Sequence, residues 1–126
     1  MQVHVNPGDE LPIYRQIVRQ ITDAIASGRL EPGEQLPSHR DLAARLVIAP
    51  LTVKKAYDEL EREGLIAAHR GRGTFVQERV PVVGPDERRE RLRDSAQRLL
   101  SQAALGGVPF RDLLSLLEEI HKGMES

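Results

Sequence analysis

The sequence contains no cysteine, and it has no apolar run of about eighteen residues, the length that a membrane-spanning helix needs. The lack of cysteine excludes disulfides and thiolate metal sites and is compatible with a reducing compartment. The N-terminus carries no pattern typical of a secretion signal. From these absences we expect a soluble, cytoplasmic protein with no membrane partner.

An excess of basic charge is also missing, because 18 lysines and arginines are balanced by 19 acidic residues, for a formal net charge of −1. This balance is not typical of a nucleic-acid binder. Residues 36–80, however, contain eight basic side chains (40, 45, 54, 55, 62, 70, 72 and 79) and six acidic ones (41, 58, 59, 61, 63 and 78). Four of the acids lie together at 58–63, whereas basic residues lie at 54–55 and 70–72, so the charge is polarised rather than abundant.

The residue types of a catalytic or metal site are present without the spacing that such sites need. The four histidines, His4, His39, His69 and His121, are scattered, and none lies with acidic residues in a pattern such as HExxH. Ser38 and His39 are neighbours, but adjacent side chains on a helix point in different directions and do not form a nucleophile with its base. We therefore expect a protein that is not an enzyme and has no catalytic residue, metal ion or cofactor.

Two short helices joined by a tight turn are predicted over residues 38–62. Ser38 suits the N-cap of the first helix, and Asp41 favours its dipole. The apolar pattern of this helix stops at residues 47–50, where Pro50 suits the first turn of a second helix over residues 50–62. The buried stripe of the second helix is predicted to consist of Val53, Ala56, Tyr57 and Leu60.

The second helix is the candidate recognition helix. Thr52, Lys54 and Lys55 place a hydroxyl and two ammonium groups in its first turns, the groups that meet phosphates and base edges in the major groove. Taken alone, the two lysines are also consistent with an ordinary solvated face. Arg40 is predicted to contact a phosphate, although pairing with nearby acids is an alternative. The Ser38 hydroxyl is a candidate hydrogen-bond donor to a phosphate, but its role as the helix N-cap is sufficient to explain a serine at this position.

A β-hairpin follows, with strands predicted at residues 65–69 and 74–77 around the sequence RGRG. Gly71 and Gly73 allow the backbone to turn with positive φ and to approach a surface closely. Arg70 and Arg72 supply cations for phosphates or for a narrow minor groove. A helix-turn-helix followed by such a hairpin is the pattern of a winged helix-turn-helix, which indicates a DNA-binding regulator.

The flanking segments complete the predicted architecture. A helix over residues 11–27 precedes the motif and packs against it, and residues 79–85, rich in valine, proline and glycine, form a linker. Asp86 is predicted to cap a helix that reaches residue 105, and Pro109 to lie in the first turn of a last helix. Two such helices cannot bury their leucines alone, which predicts a two-fold dimer. The predicted dimer contacts are Leu92, Ala96, Leu99, Leu100, Leu113, Leu116, Leu117 and Ile120.

Residues 11–76 resemble the DNA-binding domain of the GntR superfamily of bacterial transcription factors. The resemblance lies in the ordered segments PIYRQI, GRLEPGEQLPS, RDLAARL, TVKKAYDELEREGLI and GRGTFV. The short C-terminal part resembles the YtrA subfamily, whose tail is a pair of dimerising helices. The resemblance implies a mainly α fold with a small β-hairpin (α+β): a winged helix-turn-helix domain (1–78), a linker (79–85) and a helical dimerisation domain (86–126). By position, it implies DNA contacts at Arg40, Thr52, Lys54, Arg70 and Gly71.

The sequence therefore predicts a homodimeric, sequence-specific repressor that binds double-stranded DNA at a pseudo-palindromic operator. A winged helix used only for protein contact is the alternative. The YtrA resemblance implies control of a neighbouring operon, often one for an ATP-driven transporter. A small-molecule effector is possible, although one subunit leaves little room for its pocket. Ala49, Pro50 and Leu51 begin the recognition helix, and of these Ala49 and Leu51 offer at most an apolar contact to a thymine methyl group.

Overall fold

The computed structural model describes residues 1–78 and 84–125, and the chain forms two compact units, Met1–Pro81 and Val82–Ser126. The described part of the first unit, residues 1–78, is built from three helices and a three-stranded antiparallel sheet in the order β1-β3-β2. Its elements are α1 (Ile13–Ala26), β1 (Gln35–Leu36), α2 (His39–Leu46), α3 (Pro50–Arg62), β2 (Ile66–His69) and β3 (Gly73–Val76). The second unit contains α4 (Pro85–Leu105) and α5 (Phe110–Glu125), which contact each other. The described fold is thus mainly α with a small sheet, as expected.

The core of the first unit forms where α1 and α2 both pack against α3. The predicted stripe of α3 is fully buried, and so are Ile17 and Ile21 of α1. Leu42 and Ala43 of α2 close the same cluster, while Ile66 and Val76 extend it under the sheet. Since α3 buries one face in this way, its opposite face is left for a partner.

The local signals of the helix-turn-helix correctly predicted its boundaries. Ser38 is the N-cap of α2, and its Oγ accepts a hydrogen bond from the Asp41 amide at 3.0 Å. Helix α3 begins at Pro50 and ends at Arg62, as predicted. Between the helices, Val47 adopts the left-handed conformation with φ of 56° and ψ of 51°. This conformation is rare for a β-branched side chain, so the turn is strained at this residue.

A third strand, β1, was not predicted. It pairs with β3, with Gln35 opposite Phe75 and Leu36 opposite Thr74. The Leu36 side chain is buried, whereas Gln35 is exposed. A strand of two residues has no periodicity from which a sequence pattern can be recognised, which explains why it was missed.

The N-terminal segment is held to α1 by two glutamine side chains. Gln16, although polar, is buried: its Nε2 donates to the carbonyl oxygens of Asn6 and Leu11, and its Oε1 accepts from the Asn6 amide. Gln20 pairs in the same way with the backbone N–H and carbonyl of His4. These side-chain amides supply hydrogen-bond partners to backbone N–H and C=O groups of the non-helical N-terminal segment.

The second unit begins slightly earlier than predicted. Gly84 is the N-cap of α4 and Pro85 its first residue, so the prediction that Asp86 caps this helix was wrong. Asp86 lies in the first turn, where its carboxylate favours the helix dipole. Pro109 lies just before α5, and its carbonyl oxygen accepts from the amides of Asp112 and Leu113. Of the predicted linker, residues 79–83 lie outside the described residues, and the domain boundaries stay predictions.

Within the described residues, every helix falls short of the length or the apolar character that a membrane span requires.

A buried hydroxyl couples α3 to the segment before α2. The Tyr57 O–H donates to the Pro37 carbonyl oxygen at 2.7 Å. Burial raises the pKa of the Tyr57 phenol well above its ordinary value, and the Arg45 guanidinium opposes part of this shift. The hydrogen bond, which needs the protonated form of Tyr57, therefore holds α3 against the segment that leads into α2.

Tyr57→Phe is expected to lower the free energy of unfolding at pH 7 by about 1 kcal/mol, because the Pro37 carbonyl loses its donor. Since the folded-state pKa is raised, the stability that Tyr57 contributes is complete below a pH of about 10 and declines as the pH rises further. The difference between wild type and variant should then narrow at pH 11. Urea denaturation at both pH values measures it, with Tyr14→Phe as the control, since the Tyr14 hydroxyl only accepts an exposed bond from Arg15. An unchanged Tyr57→Phe midpoint would contradict the assigned role.

Candidate nucleic-acid interface

The wing is a tight turn that joins β2 to β3. The Arg72 amide donates to the His69 carbonyl oxygen at 2.9 Å, which closes the turn over Arg70 and Gly71. Gly71 has a φ of 78° and Gly73 a φ of 121°, both in the region that favours glycine. The turn therefore depends on the two glycines that the sequence analysis selected, and it leaves both arginine side chains exposed.

Gln35 of β1 anchors this turn and was not recognised from the sequence. Its Nε2 donates to the Arg72 carbonyl oxygen at 3.1 Å. A Cβ atom at Gly73 would lie 2.5 Å from the same Nε2, so a side chain there would displace the anchor. Because Gln35 belongs to the missed strand β1, no sequence signal connected it with the wing.

The cations of the wing and of α2 have no acidic partner among the described residues. Ion pairs in that part of the chain involve other basic side chains, and none includes Arg40, Arg70 or Arg72. Arg40 is exposed in the first turn of α2. Unpaired guanidinium groups are available to bind phosphate, and they present several donors in a fixed geometry.

The two lysines of α3 have intramolecular partners that the sequence analysis did not foresee. Lys54 Nζ lies 3.0 Å from Asp58 Oδ2, one helical turn along. Lys55 Nζ lies 4.0 Å from the centre of the Tyr14 ring, a cation–π contact that links α3 to α1. The Lys54 pair is half exposed, and such surface pairs contribute at most about 1 kcal/mol. A phosphate can therefore compete for Lys54 at little cost.

Four of the predicted site residues, Ser38, Thr52, Lys55 and Gly73, line two open recesses of the first unit. Ser38 lies with Gly73 and Thr74 along one open recess, so the start of α2 adjoins the base of the wing. Thr52 and Lys55 lie with Tyr14 and Leu51 along another, at the N-terminal end of α3. The Ser38 hydroxyl is used in its cap, which its sequence position already explained.

The second unit carries the predicted dimer contacts, and most of their side chains are exposed in the single chain. Five of the predicted contacts, Leu92, Leu100, Leu116, Leu117 and Ile120, are between 41% and 65% exposed. Ala96 is exposed and Leu99 is half-buried. Leu113 differs, because it is already buried within one chain and is not part of the exposed face. Several exposed leucines on two helices that contact each other are typical of a protein contact.

Comparison with known proteins agrees with this geometry. Residues 13–76 match the model of the family described as "Bacterial regulatory proteins, gntR family". The chain belongs to the gntR family. The HTH-type transcriptional repressor YtrA of Bacillus subtilis is 36% identical over 118 residues, which cover 94% of this chain and 91% of that protein. This likeness over nearly the whole length identifies the chain as a YtrA-type member of the gntR family.

Solved structures extend the comparison. A transcriptional antiterminator from Listeria monocytogenes EGD-e superposes with a TM-score of 0.87 at 29% identity, covering all of this chain and 94% of that one. The DNA-binding domain of AraR in complex with operator ORX1 gives a TM-score of 0.52 at 30% identity, covering 59% and 92%. This gntR-family chain is thus a transcriptional regulator with a winged helix-turn-helix and not an enzyme, as predicted.

Proposed function

We propose that the protein is a homodimeric repressor that binds a pseudo-palindromic operator and blocks transcription by occlusion. The observation that carries the proposal is the exposed wing tip, where a glutamine anchors the turn and Arg70 and Arg72 form no ion pair with any acidic residue that the structure describes. A wing that served only protein contact would have no need to present two arginine side chains on a turn that positive-φ glycines hold exposed. The YtrA protein of B. subtilis, named a repressor, supports the sign of regulation.

In this proposal, each element of the first unit has a separate task. Helix α3 enters the major groove with its first turns, so that Thr52 and Lys54 reach base edges and phosphates. The wing enters the adjoining minor groove with Arg70 and Arg72, and Gly71 and Gly73 allow its backbone to approach closely. Arg40 and Ser38 hold the phosphate backbone. Lys55 binds DNA only if it leaves Tyr14, and we expect it to contribute less than Lys54.

The exposed face of α4 and α5 provides the second half of the mechanism. Two copies that pack these leucines together form a two-fold helical bundle. The bundle fixes the separation of two α3 helices, and the operator then repeats its half-site with the same symmetry. Avidity compensates for the modest positive charge of each subunit.

The proposed target is a neighbouring operon, such as one that encodes an ATP-driven transporter, and the proposed location is the cytoplasm, where the DNA is. A small-molecule effector is a further part of this proposal. An effector is expected to raise the melting temperature by several degrees in a thermal-shift screen, since it would bind only the folded protein. A flat response across a broad metabolite set would count against it.

The proposal is tested by fluorescence anisotropy of the full chain on a duplex from upstream of its own gene and on a scrambled duplex. Selection from a random duplex library, carried out in parallel, covers an operator that lies elsewhere. We expect selective binding, with an association constant whose logarithm falls linearly with the logarithm of the salt concentration. The slope should be about −7, because the dimer places eight cations, four per subunit, on phosphates and each contact contributes about −0.9. Enrichment of no sequence, together with no binding at low salt, would favour a winged helix used for protein contact.

A further inference from the structure

Two large apolar side chains are strongly exposed in the middle of the first unit. Val47 is 89% exposed and Leu51 is 77% exposed, while the other large apolar residues of the described range 1–78, except Met1, are buried or half-buried. A single exposed leucine is common on protein surfaces, so its place in the fold decides what it means. Val47 lies in the turn directly after α2, whereas Leu51 is the second residue of α3.

The first turn of α3 carries no side-chain group that forms hydrogen bonds until Thr52. Ala49 is the N-cap and makes no side-chain capping bond, Pro50 is the first helical residue, and Leu51 follows. Hydrogen-bonded reading of a base edge is therefore impossible from these three side chains. An alkyl side chain is suited to contact the C5-methyl group of thymine, which marks the major-groove edge of an A·T pair.

The surroundings of Leu51 favour DNA over a protein as its partner. Lys54 and Lys55 follow it within one turn, and Leu51 lines an open recess together with Thr52, Lys55 and Tyr14. An exposed apolar side chain flanked by a hydroxyl and ammonium groups complements a polyanion that displays methyl groups in its groove. A protein partner would need acidic side chains around an apolar pocket to match the same surface.

We propose that Leu51 packs against the C5-methyl group of one thymine in each operator half-site and selects that base pair by apolar contact. The inference rests on the proposed function and adds to it the chemistry by which the start of α3 recognises sequence. Val47, which lies in the turn, has no part in this contact.

The test replaces each thymine of the selected operator, one half-site position at a time, with deoxyuridine, which removes only the methyl group. At one of these positions, deoxyuridine in a single half-site should lower the affinity of the wild-type chain about fourfold, which is the effect of one buried methylene-sized group. The same replacement in both half-sites should lower the affinity about sixteenfold. Leu51→Ala should bind the thymine operator more weakly and show no further loss with deoxyuridine. Leu51→Met should keep the sensitivity, and Val47→Ala, the matched control at the other exposed apolar residue, should keep it too.

The variants separate this inference from the proposed function. Alanine and methionine are good helix formers at an exposed position, so circular dichroism should show an intact fold for both Leu51 variants. Selective operator binding without any deoxyuridine effect would overturn the role of Leu51 and leave the repressor proposal standing. The same holds if Leu51→Ala keeps the wild-type sensitivity, or if it changes only self-association, which would assign Leu51 to a second copy of the chain. No selective binding by the wild type would overturn both.

Discussion

Leu116→Glu is expected to separate the dimer into monomers and to lower the affinity for a full operator by at least about 100-fold. Leu116 is 47% exposed in the single chain and lies in the face of α5 that we assign to the dimer seam. In the dimer, a carboxylate at this position would be removed from water without a partner, which costs several kcal/mol. Loss of the second subunit removes the avidity that two linked modules provide, a factor of about 10² to 10⁴.

The matched control for this substitution is Leu105→Glu. Leu105 is 91% exposed at the end of α4 and is not among the predicted seam residues. The Leu105→Glu substitution therefore introduces the same charge outside the proposed contact. Sedimentation velocity should give a dimer for wild type and Leu105→Glu and a monomer for Leu116→Glu, and titration of a single half-site should give similar affinity for all three. A Leu116→Glu chain that sediments as a dimer, or a wild-type chain that sediments as a monomer, would refute the proposed assembly.

The helix-turn-helix was predictable from sequence because its boundaries depend on local chemistry. Ser38 caps α2, Pro50 begins α3 and Gly64 follows the end of α3 with a φ of 77°, and each of these residues carries its conformational preference with it. The stripe of α3 was predictable for a related reason, since a 3.6-residue period records which face is buried. Local signals of this kind do not need knowledge of the tertiary structure.

The features that were missed depend on contacts between distant residues. Gln16 looks like a solvent-facing residue on α1, yet it is buried because the N-terminal segment folds back over it. Gln35 reaches the wing only because β1 pairs with β3, and Lys55 contacts Tyr14 only because α3 packs on α1. Sequence patterns give the face on which such a residue lies but not the partner that tertiary packing brings to it.

The helix face predicted for the dimer shows an intermediate case. The spacing of leucines on α4 and α5 predicted an apolar surface, and the single chain leaves most of it exposed. Leu113 follows the same spacing but is buried within the single chain. The prediction did not separate it from the other leucines, because periodicity does not distinguish a contact within one chain from a contact between two chains. Which copy of the chain covers each leucine therefore stays a prediction until the oligomeric state is measured.

Arg70→Ala combined with Arg72→Ala is expected to lower operator affinity by about 100-fold near physiological salt. The dimer would lose four of its eight proposed phosphate contacts, so the salt slope should be halved, from about −7 to about −3.6. The backbone of the turn should persist, because Gln35 binds the Arg72 carbonyl oxygen and the His69 carbonyl accepts from the Arg72 amide. The loss should therefore come from the guanidinium groups rather than from unfolding of the wing.

Two further variants distinguish a local contact from a general effect of charge. Arg19→Ala combined with Arg29→Ala removes the same charge from exposed positions outside the proposed interface and should leave the slope close to that of wild type. Arg70→Lys combined with Arg72→Lys keeps the charge but loses the planar group that fits a narrow minor groove, so the slope should persist while affinity falls by less than in the alanine variant. If the Arg19 and Arg29 pair matters as much as the wing pair, the wing has no specific role and DNA binding is governed by net charge. A wing effect confined to Arg70 and Arg72 instead means that placement of a few cations by glycine turns compensates for a net charge of −1.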